Sequence, residues 1–494
     1  MQARPRPSRR RERLALAAIA GFAALRVSAL AAAFPFFTNV DEHRHVDMVL
    51  KYARAALPRP DAVAYEPDMP RLVAWLGAPD YQLPPGAVST AAPGWAVSPD
   101  ELERRIARNE VLFAHLVNLD THESPPYYAL AGAWFALAER LGVDPVRALY
   151  SVRLWNALFA ALLVVCAFVL VRRTHPGDAF MCWGVPLLLA SFPQDTFYYV
   201  TPDAFSALAG AVAFALTLRL LLDPESGPVP YALAGAVAAV AVLTKPPNVY
   251  VLGVALAAAL GRARPGRRLL GRFALYASAC ALPVGAWLLR NHVLQGDWLG
   301  TSSKTLLLGW RPNPVSEWLA HPLFTPRGFT HFVLDLVPRF WRGELVWRRR
   351  ELAWPFADAV YTATTIGFLA VGALALARRR SGPARTAELA SAASLAASVA
   401  ILALLSLLFV FPPEGNPSAE RPWFHHGRLI AGALLPFAIL YLRGLEVLAA
   451  ALPVRARAVA AWSALALLLA LCVGSELWLS LPAFRSPYNL YHHG

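Results

Sequence analysis

From residue 14 to residue 480 the chain carries one apolar run after another, most of them near bilayer length, with short arginine clusters between them. A helix needs about 20 predominantly apolar residues to cross the hydrocarbon, and lipid offers no partner to an unpaired backbone group. A chain built this way can fold only as an all-α polytopic membrane protein. Composition agrees, with 57% hydrophobic and 16% charged residues, where ordinary soluble chains carry about 25% charged. The net charge of +14 is not a nucleic-acid footprint. Its arginines sit between apolar runs, where the positive-inside rule expects cytoplasmic loops. The expected surroundings are the lipid bilayer, with no nucleic-acid partner. All four cysteines (Cys166, Cys182, Cys280, Cys472) lie inside apolar runs, so they read as packing residues with no disulfide implied.

Charge placement sets the topology. The run from Leu14 to Phe37 follows the basic stretch Arg4 to Arg13, which puts its start inside. A cleaved signal peptide, with Ala31-Ala32-Ala33 as its processing site, is the weaker alternative. Further spans are expected at 154–171, 179–198, 203–221, 230–245, 247–261, 273–289, 355–377, 389–411, 428–449 and 458–480. That makes eleven in a transmembrane domain covering 1–480, with the amino terminus inside and the tail 481–494 outside. The pair 230–245 and 247–261 is short and hinges at Lys245-Pro246-Pro247, so full crossing is left open. Residues 38–146 hold 15 of the 32 carboxylates and 9 basic residues, and read as a first extracytoplasmic loop. Within it, Pro125 to Gly142 is apolar but short and proline-led, which suits an interfacial helix. Residues 291–353 form a second large outer loop.

With this topology, polar residues from remote segments collect at the outer membrane face. They are Asp41-Glu42 after the first span, Asp195 and Asp203 around one turn, Lys245, Arg290-Asn291, and His425-His426-Gly427-Arg428. Carboxylates and cations together are what acid–base chemistry on an anionic lipid headgroup requires. Taken singly, each has an ordinary explanation: helix-start carboxylates favour the dipole, and lysine or arginine near a span end snorkels or anchors. Asp41, His43 and His45 would make a metal set only if alternate helical residues shared a face, which they do not, so no metal ligands are assigned. Arg26, deep in the first span, calls for a buried partner or a cavity and is kept out of the site. Tyr127-Tyr128 and Trp134 suit an aromatic interfacial belt.

In order along 14–440 the chain resembles the polyprenol-dependent membrane glycosyltransferases of the C-type fold (GT-C). That superfamily includes the protein O-mannosyltransferases, the lipid A aminoarabinose transferase and a large bacterial branch. The resemblance rests on Asp41-Glu42 with His45, on His122-Glu123-Ser124-Pro125-Pro126-Tyr127-Tyr128, and on Pro202-Asp203. It continues through Leu243-Thr244-Lys245, Trp287 to Asn291, Phe340-Trp341-Arg342-Gly343, and Gly427-Arg428 ahead of Leu434-Leu435-Pro436. Two departures stand out. Ser124 replaces the residue often found before the two prolines, and Arg342-Gly343-Glu344 is more charged than the usual glycine- and aromatic-rich stretch.

The resemblance implies transfer of a sugar from a polyprenyl-phosphate donor to an acceptor hydroxyl on a glycan, lipid or protein, with inversion. The place would be the outer face of a bacterial cytoplasmic membrane. Asp41, Glu42 and Asp203 are the implied catalytic residues. Lys245, Arg290, Arg428, His45, His122, Glu123, Tyr128 and Asp195 are the implied substrate-binding ones. A phosphate leaving group is stable as an anion, so lysine and arginine suffice and no cofactor is required, although a divalent ion is compatible. The alternatives are a lipid or polysaccharide flippase, which has no need of a carboxylate-rich outer loop, and a polysaccharide polymerase or ligase.

Overall fold

The computed structural model describes residues 9–38, 41–56, 64–78, 92–260, 266–348, 350–378 and 381–491. Among these, eight helices are long and apolar enough to cross a membrane. They are α1 (Arg9–Ala33), α6 (Pro145–Thr174), α8 (Pro202–Leu222), α11 (Arg267–Gln295), α14 (Pro355–Arg378), α15 (Pro383–Leu407), a kinked helix Gly427–Ala450 whose α-helical part is α16 (Leu434–Ala450), and α17 (Val454–Phe484). Three shorter apolar helices, α7 (Ala179–Ala190), α9 (Pro228–Thr244) and α10 (Tyr250–Leu260), lie on the remaining expected spans. The chain is a multi-pass all-α membrane protein. Among the described residues its strands are four two-residue pieces: β1 (Arg311–Pro312) pairs antiparallel with β4 (Phe409–Val410), and β2 (Val346–Trp347) with β3 (Arg350–Glu351).

The segment expected as a single span over 179–198 is broken. α7 ends at Ala190, and a 3-10 turn forms only at Asp195–Tyr198. Pro193 has no N–H to continue the ladder, which leaves carbonyls at the helix end to satisfy. Arg26 does this from α1, donating to the carbonyls of Ala190 and Phe192 at 3.0 Å each while pairing with Glu476 of α17. The costly intramembrane arginine is therefore a helix cap with a buried counter-ion. A similar repair follows α9: Pro246 forces Lys245 into an extended conformation (φ −149°, ψ 121°), and Asn248 donates to Ala241 O at 2.8 Å.

Helices α2 (Glu42–Ala53), α3 (Met69–Leu76), α4 (Pro99–Phe113) and α5 (Pro125–Arg140) fill the stretch between α1 and α6. α5 has 16 residues, about 24 Å at 1.5 Å each, and packs on α2 and α6. Its exposed side keeps Trp134 and Leu137 while Tyr127, Tyr128, Ala131 and Phe135 are buried. Tyr127 and Tyr128 are therefore core residues and not part of an interfacial belt. Between α11 and α14 lie α12 (Ser302–Leu307), α13 (Pro326–Arg342) and the β2–β3 hairpin. Trp341 of α13, fully buried, stacks on Tyr361 of α14 at 4.7 Å and anchors this segment to the bundle.

Candidate active site

Eight charged side chains from six places in the sequence form a chain of alternating sign at one end of the bundle. Lys304 Nζ lies 2.7 Å from Asp120, and Asp120 lies 3.9 Å from Arg44. Arg44 is 3.0 Å from Asp41 Oδ1, and Asp41 Oδ2 is 2.5 Å from Arg428 Nη2. Arg428 Nη1 is 3.9 Å from Asp203, Asp203 is 3.6 Å from Lys245, and Lys245 is 3.4 Å from Glu123. Local structure sets each member. Asp41 is the N-cap position of α2. Asp203 sits in the first turn of α8, its carboxylate taking the Thr201 hydroxyl at 2.6 Å. Lys245 occupies the extended link forced by Pro246, and Arg428 lies in the 3-10 turn Gly427–Ala433 ahead of α16.

The chain has a buried floor and a reachable rim. The side chains of Asp203 and Asp120 are 0% and 4% exposed, whereas those of Asp41 and Arg428 are 17% and 19% exposed. Burial and the Asp120 charge raise the Asp41 carboxyl, but the Arg428 and Arg44 guanidiniums act against them and the group is held below the usual carboxylate range. His45 is buried against Tyr128, its Nδ1 2.7 Å from the tyrosine hydroxyl, and burial lowers its pKa. Ser124, the residue before the two prolines, donates to the Leu243 carbonyl and ties the start of α5 to the end of α9, beside Lys245.

Glu42 is separated from this group, although it adjoins Asp41. It is 0% exposed and accepts four hydrogen bonds, from Arg153 Nε (2.8 Å) and Nη2 (2.7 Å) and from the backbone N–H of Phe37 (2.8 Å) and Val200 (2.9 Å). Arg153 also caps carbonyls of the α1 end, Ala31 and Phe34, and lies 3.6 Å over the Phe36 ring. The sequence reading sets Glu42 in the catalytic set; with every lone-pair direction used and no exposure, it sits instead as a brace away from the reachable rim. Tyr128, expected to bind substrate, is likewise 0% exposed, with its hydroxyl against His45. His43 stacks on Tyr65 and diverges from His45.

The other expected residues are distributed unevenly. Glu123 joins the chain through Lys245, while His122 donates its Nδ1–H to the Leu119 carbonyl (3.1 Å). Arg290 lies 4.5 Å over Trp287 and donates to Asn291, contacts within its own helix. Asp195 sits in a second cluster, accepting from Glu344 N–H at 3.1 Å, and burial with the nearby Glu344 charge pushes its carboxyl up to about 7. Gly343 makes that contact possible: its φ is +79°, and a Cβ there would collide with the Asp195 carboxylate. Arg342, the charged departure in this stretch, is taken up by Glu351 and Asp358 at 2.9 Å each. Arg44, Asp120, Lys304 and Arg153 lie outside the motifs that the sequence offers. Arg153 alone had a signal there, as a charge at the edge of an apolar run.

No family model and no curated protein sequence matches the chain. Among solved structures it is similar to the arabinosyltransferase EmbB from Mycobacterium smegmatis, with 14% identity over 99% of this chain and 42% of that one, at a TM-score of 0.40. It is also similar to an oligosaccharyltransferase from Archaeoglobus fulgidus tethered to an acceptor peptide, with 13% identity over 74% of this chain and 47% of that one, at a TM-score of 0.35. The chain spans less than half the length of either structure.

Proposed function

We propose that this protein is a glycosyltransferase that moves a sugar from a polyprenyl-phosphate donor to an acceptor hydroxyl on the outer face of the membrane, with inversion at the anomeric carbon. The observation that carries the reading is the alternation Asp41–Arg428–Asp203–Lys245, with Asp41 and Arg428 reachable at the rim. A phosphate needs cations and an attacking hydroxyl needs a base; here one guanidinium sits between the two requirements.

The arrangement supports a base that the donor switches on. Without substrate, Arg428 neutralises Asp41 and makes it a weak proton acceptor. A donor phosphate bound at Arg428 and Lys245 competes for the same guanidinium, which frees the carboxylate and raises its basicity. The acceptor O–H then attacks the anomeric carbon, its proton passes to Asp41, and the bond from that carbon to the phosphate oxygen breaks. The electron pair leaves with polyprenyl phosphate, where Arg428 and Lys245 stabilise the growing charge. Asp203, held by Thr201, fixes the two cations from below. These cations serve the leaving group without a divalent ion.

A lipid donor also needs room for its chain. An apolar cavity of about 650 Å³ opens between α13, α14, α15 and α16, lined by Phe332, Leu369, Val399, Leu407 and Leu440. Its Leu407 adjoins Ser406, whose hydroxyl accepts from Phe424 N–H, four residues before Arg428. The test is sugar transfer by the purified protein in detergent with a panel of polyprenyl-phosphate sugars, using Asp41→Asn as the control. Transfer by the parent and its loss in Asp41→Asn are expected. Equal release of sugar by both would refute the reading.

A further inference from the structure

Beside the charge chain stands a cluster the proposed reaction does not use. Glu344, His425 and His426 each offer a ligand atom, and these atoms lie within 4.8 Å of one another. His426 Nδ1 is 2.8 Å from both carboxylate oxygens of Glu344. His425 is 2% exposed, and its Nδ1 has no hydrogen-bond partner. A buried imidazole nitrogen left unpaired is costly, and such groups are ordinarily satisfied by a protein group, a water or an ion.

We propose that Glu344, His425 and His426 bind a divalent transition-metal ion of the zinc class. Two imidazoles and one carboxylate are a ligand set that zinc takes in tetrahedral geometry, with the fourth position open. The ring separation fits. With metal–nitrogen bonds of about 2.0–2.1 Å, two imidazoles on one tetrahedral ion place their centroids about 5 Å apart, and those of His425 and His426 are 5.1 Å apart. The nearby cations are already engaged. Arg339 lies 3.7 Å from Glu344 but pairs with Glu351 at 2.6 Å and Asp335 at 3.5 Å, and Arg428 is held by Asp41. The Glu344 charge is therefore left to His426 and the ion.

The backbone is shaped to bring these residues together. Glu344 follows the turn at Gly343, and Gly427 packs so closely on the backbone of Arg339 and Phe340 that a Cβ would collide with it. A bound ion would fasten the end of α13 to the turn that carries Arg428. It is a site separate from the phosphate cations, and its test does not depend on sugar transfer.

The probe is Co²⁺, then Zn²⁺, added to the purified full chain in detergent with any histidine tag removed. About one equivalent of Co²⁺ should survive desalting and show the visible absorption of a tetrahedral site. His426→Ala, His425→Ala and Glu344→Gln should each weaken binding by about tenfold or more, since even loss of a residue that merely supports a ligand costs that much. Zn²⁺ should raise Tm in the parent and not in the variants, a comparison made within each protein and so independent of how stable each variant is. Asp41→Asn should keep the metal. A parent that holds no Co²⁺ and gains no Tm from Zn²⁺, or a triple variant that still binds, would overturn the proposal and leave an imidazole–carboxylate pair.

Discussion

Glu42→Gln distinguishes a brace from a catalytic carboxylate at the position next to Asp41. Glu42 is fully buried and accepts four hydrogen bonds, two of them from Arg153. Glutamine keeps the volume but leaves one acceptor oxygen, and its NH₂ faces groups that are themselves donors. Arg153 would remain charged at 0% exposure without a counter-ion. Removing one partner of a buried ion pair typically costs about 3–5 kcal/mol, a large share of the roughly 5–15 kcal/mol that holds a folded domain. At about 2–4 °C per kcal/mol for chains of 150–250 residues, and less for a longer chain, the fall in Tm is at most about 6–20 °C. Unfolding in detergent can be followed with a thiol-reactive dye, because Cys280 and Cys472 are buried until the bundle opens. Glu42→Gln combined with Arg153→Met should recover part of the loss, since no buried charge then remains. Residual transfer per folded molecule should stay measurable. A Glu42→Gln variant with the parent Tm and no transfer would refute the brace and return Glu42 to the catalytic group.

Asp41→Asn should cut transfer by about a hundred- to ten-thousand-fold, the usual cost of losing a general base, while donor binding holds or tightens because Arg428 is released; full turnover would sink the assignment. Because Arg428 depresses the Asp41 pKa, the pair's contribution to stability is complete above the unfolded value of about 3.9 and is lost only as pH falls through the lower folded value. The Tm gap between parent and Asp41→Asn should therefore stay level from about pH 5 to 8 and close in acid. Arg428→Gln and Lys245→Gln should each weaken polyprenyl-phosphate binding about ten- to a hundredfold, the equivalent of one charge-assisted hydrogen bond. Arg428→Lys should also be impaired, because one ammonium cannot hold Asp41, Asp203 and phosphate together; unchanged binding in both Gln variants would move the phosphate elsewhere. Asp100→Cys and Arg268→Cys should label from opposite sides with an impermeant thiol reagent, and same-side labelling would contradict the topology.

Much of the bundle was legible because membrane helices announce themselves by length and hydropathy alone. The helices extend past the expected spans, as α6 does from Pro145 to Thr174 around 154–171, because apolar runs mark the hydrocarbon and not the helix ends. The break after Ala190 is marked locally by Ser191, Pro193, Gln194 and Asp195, but its repair by Arg26 comes from a different helix and leaves no mark there. Asp41, Asp203, Lys245 and Arg428 could be placed at one face by counting crossings. Arg44, Asp120 and Lys304 could not, because nothing local distinguishes an exposed charge from one whose partner lies elsewhere.

By itself, then, the sequence determined that the chain is a many-helix membrane bundle and which loops carry its charge, because those properties follow from nearest neighbours and the solvent they require. Only the tertiary structure decided what each charge faces. Asp41 and Glu42 are adjacent and chemically alike, yet one meets Arg428 at the rim and the other meets Arg153 in the interior. A carboxylate's basicity and reach are set by burial and by cations within a few ångströms, and the two cations that tell this pair apart, Arg428 and Arg153, come from more than a hundred positions away.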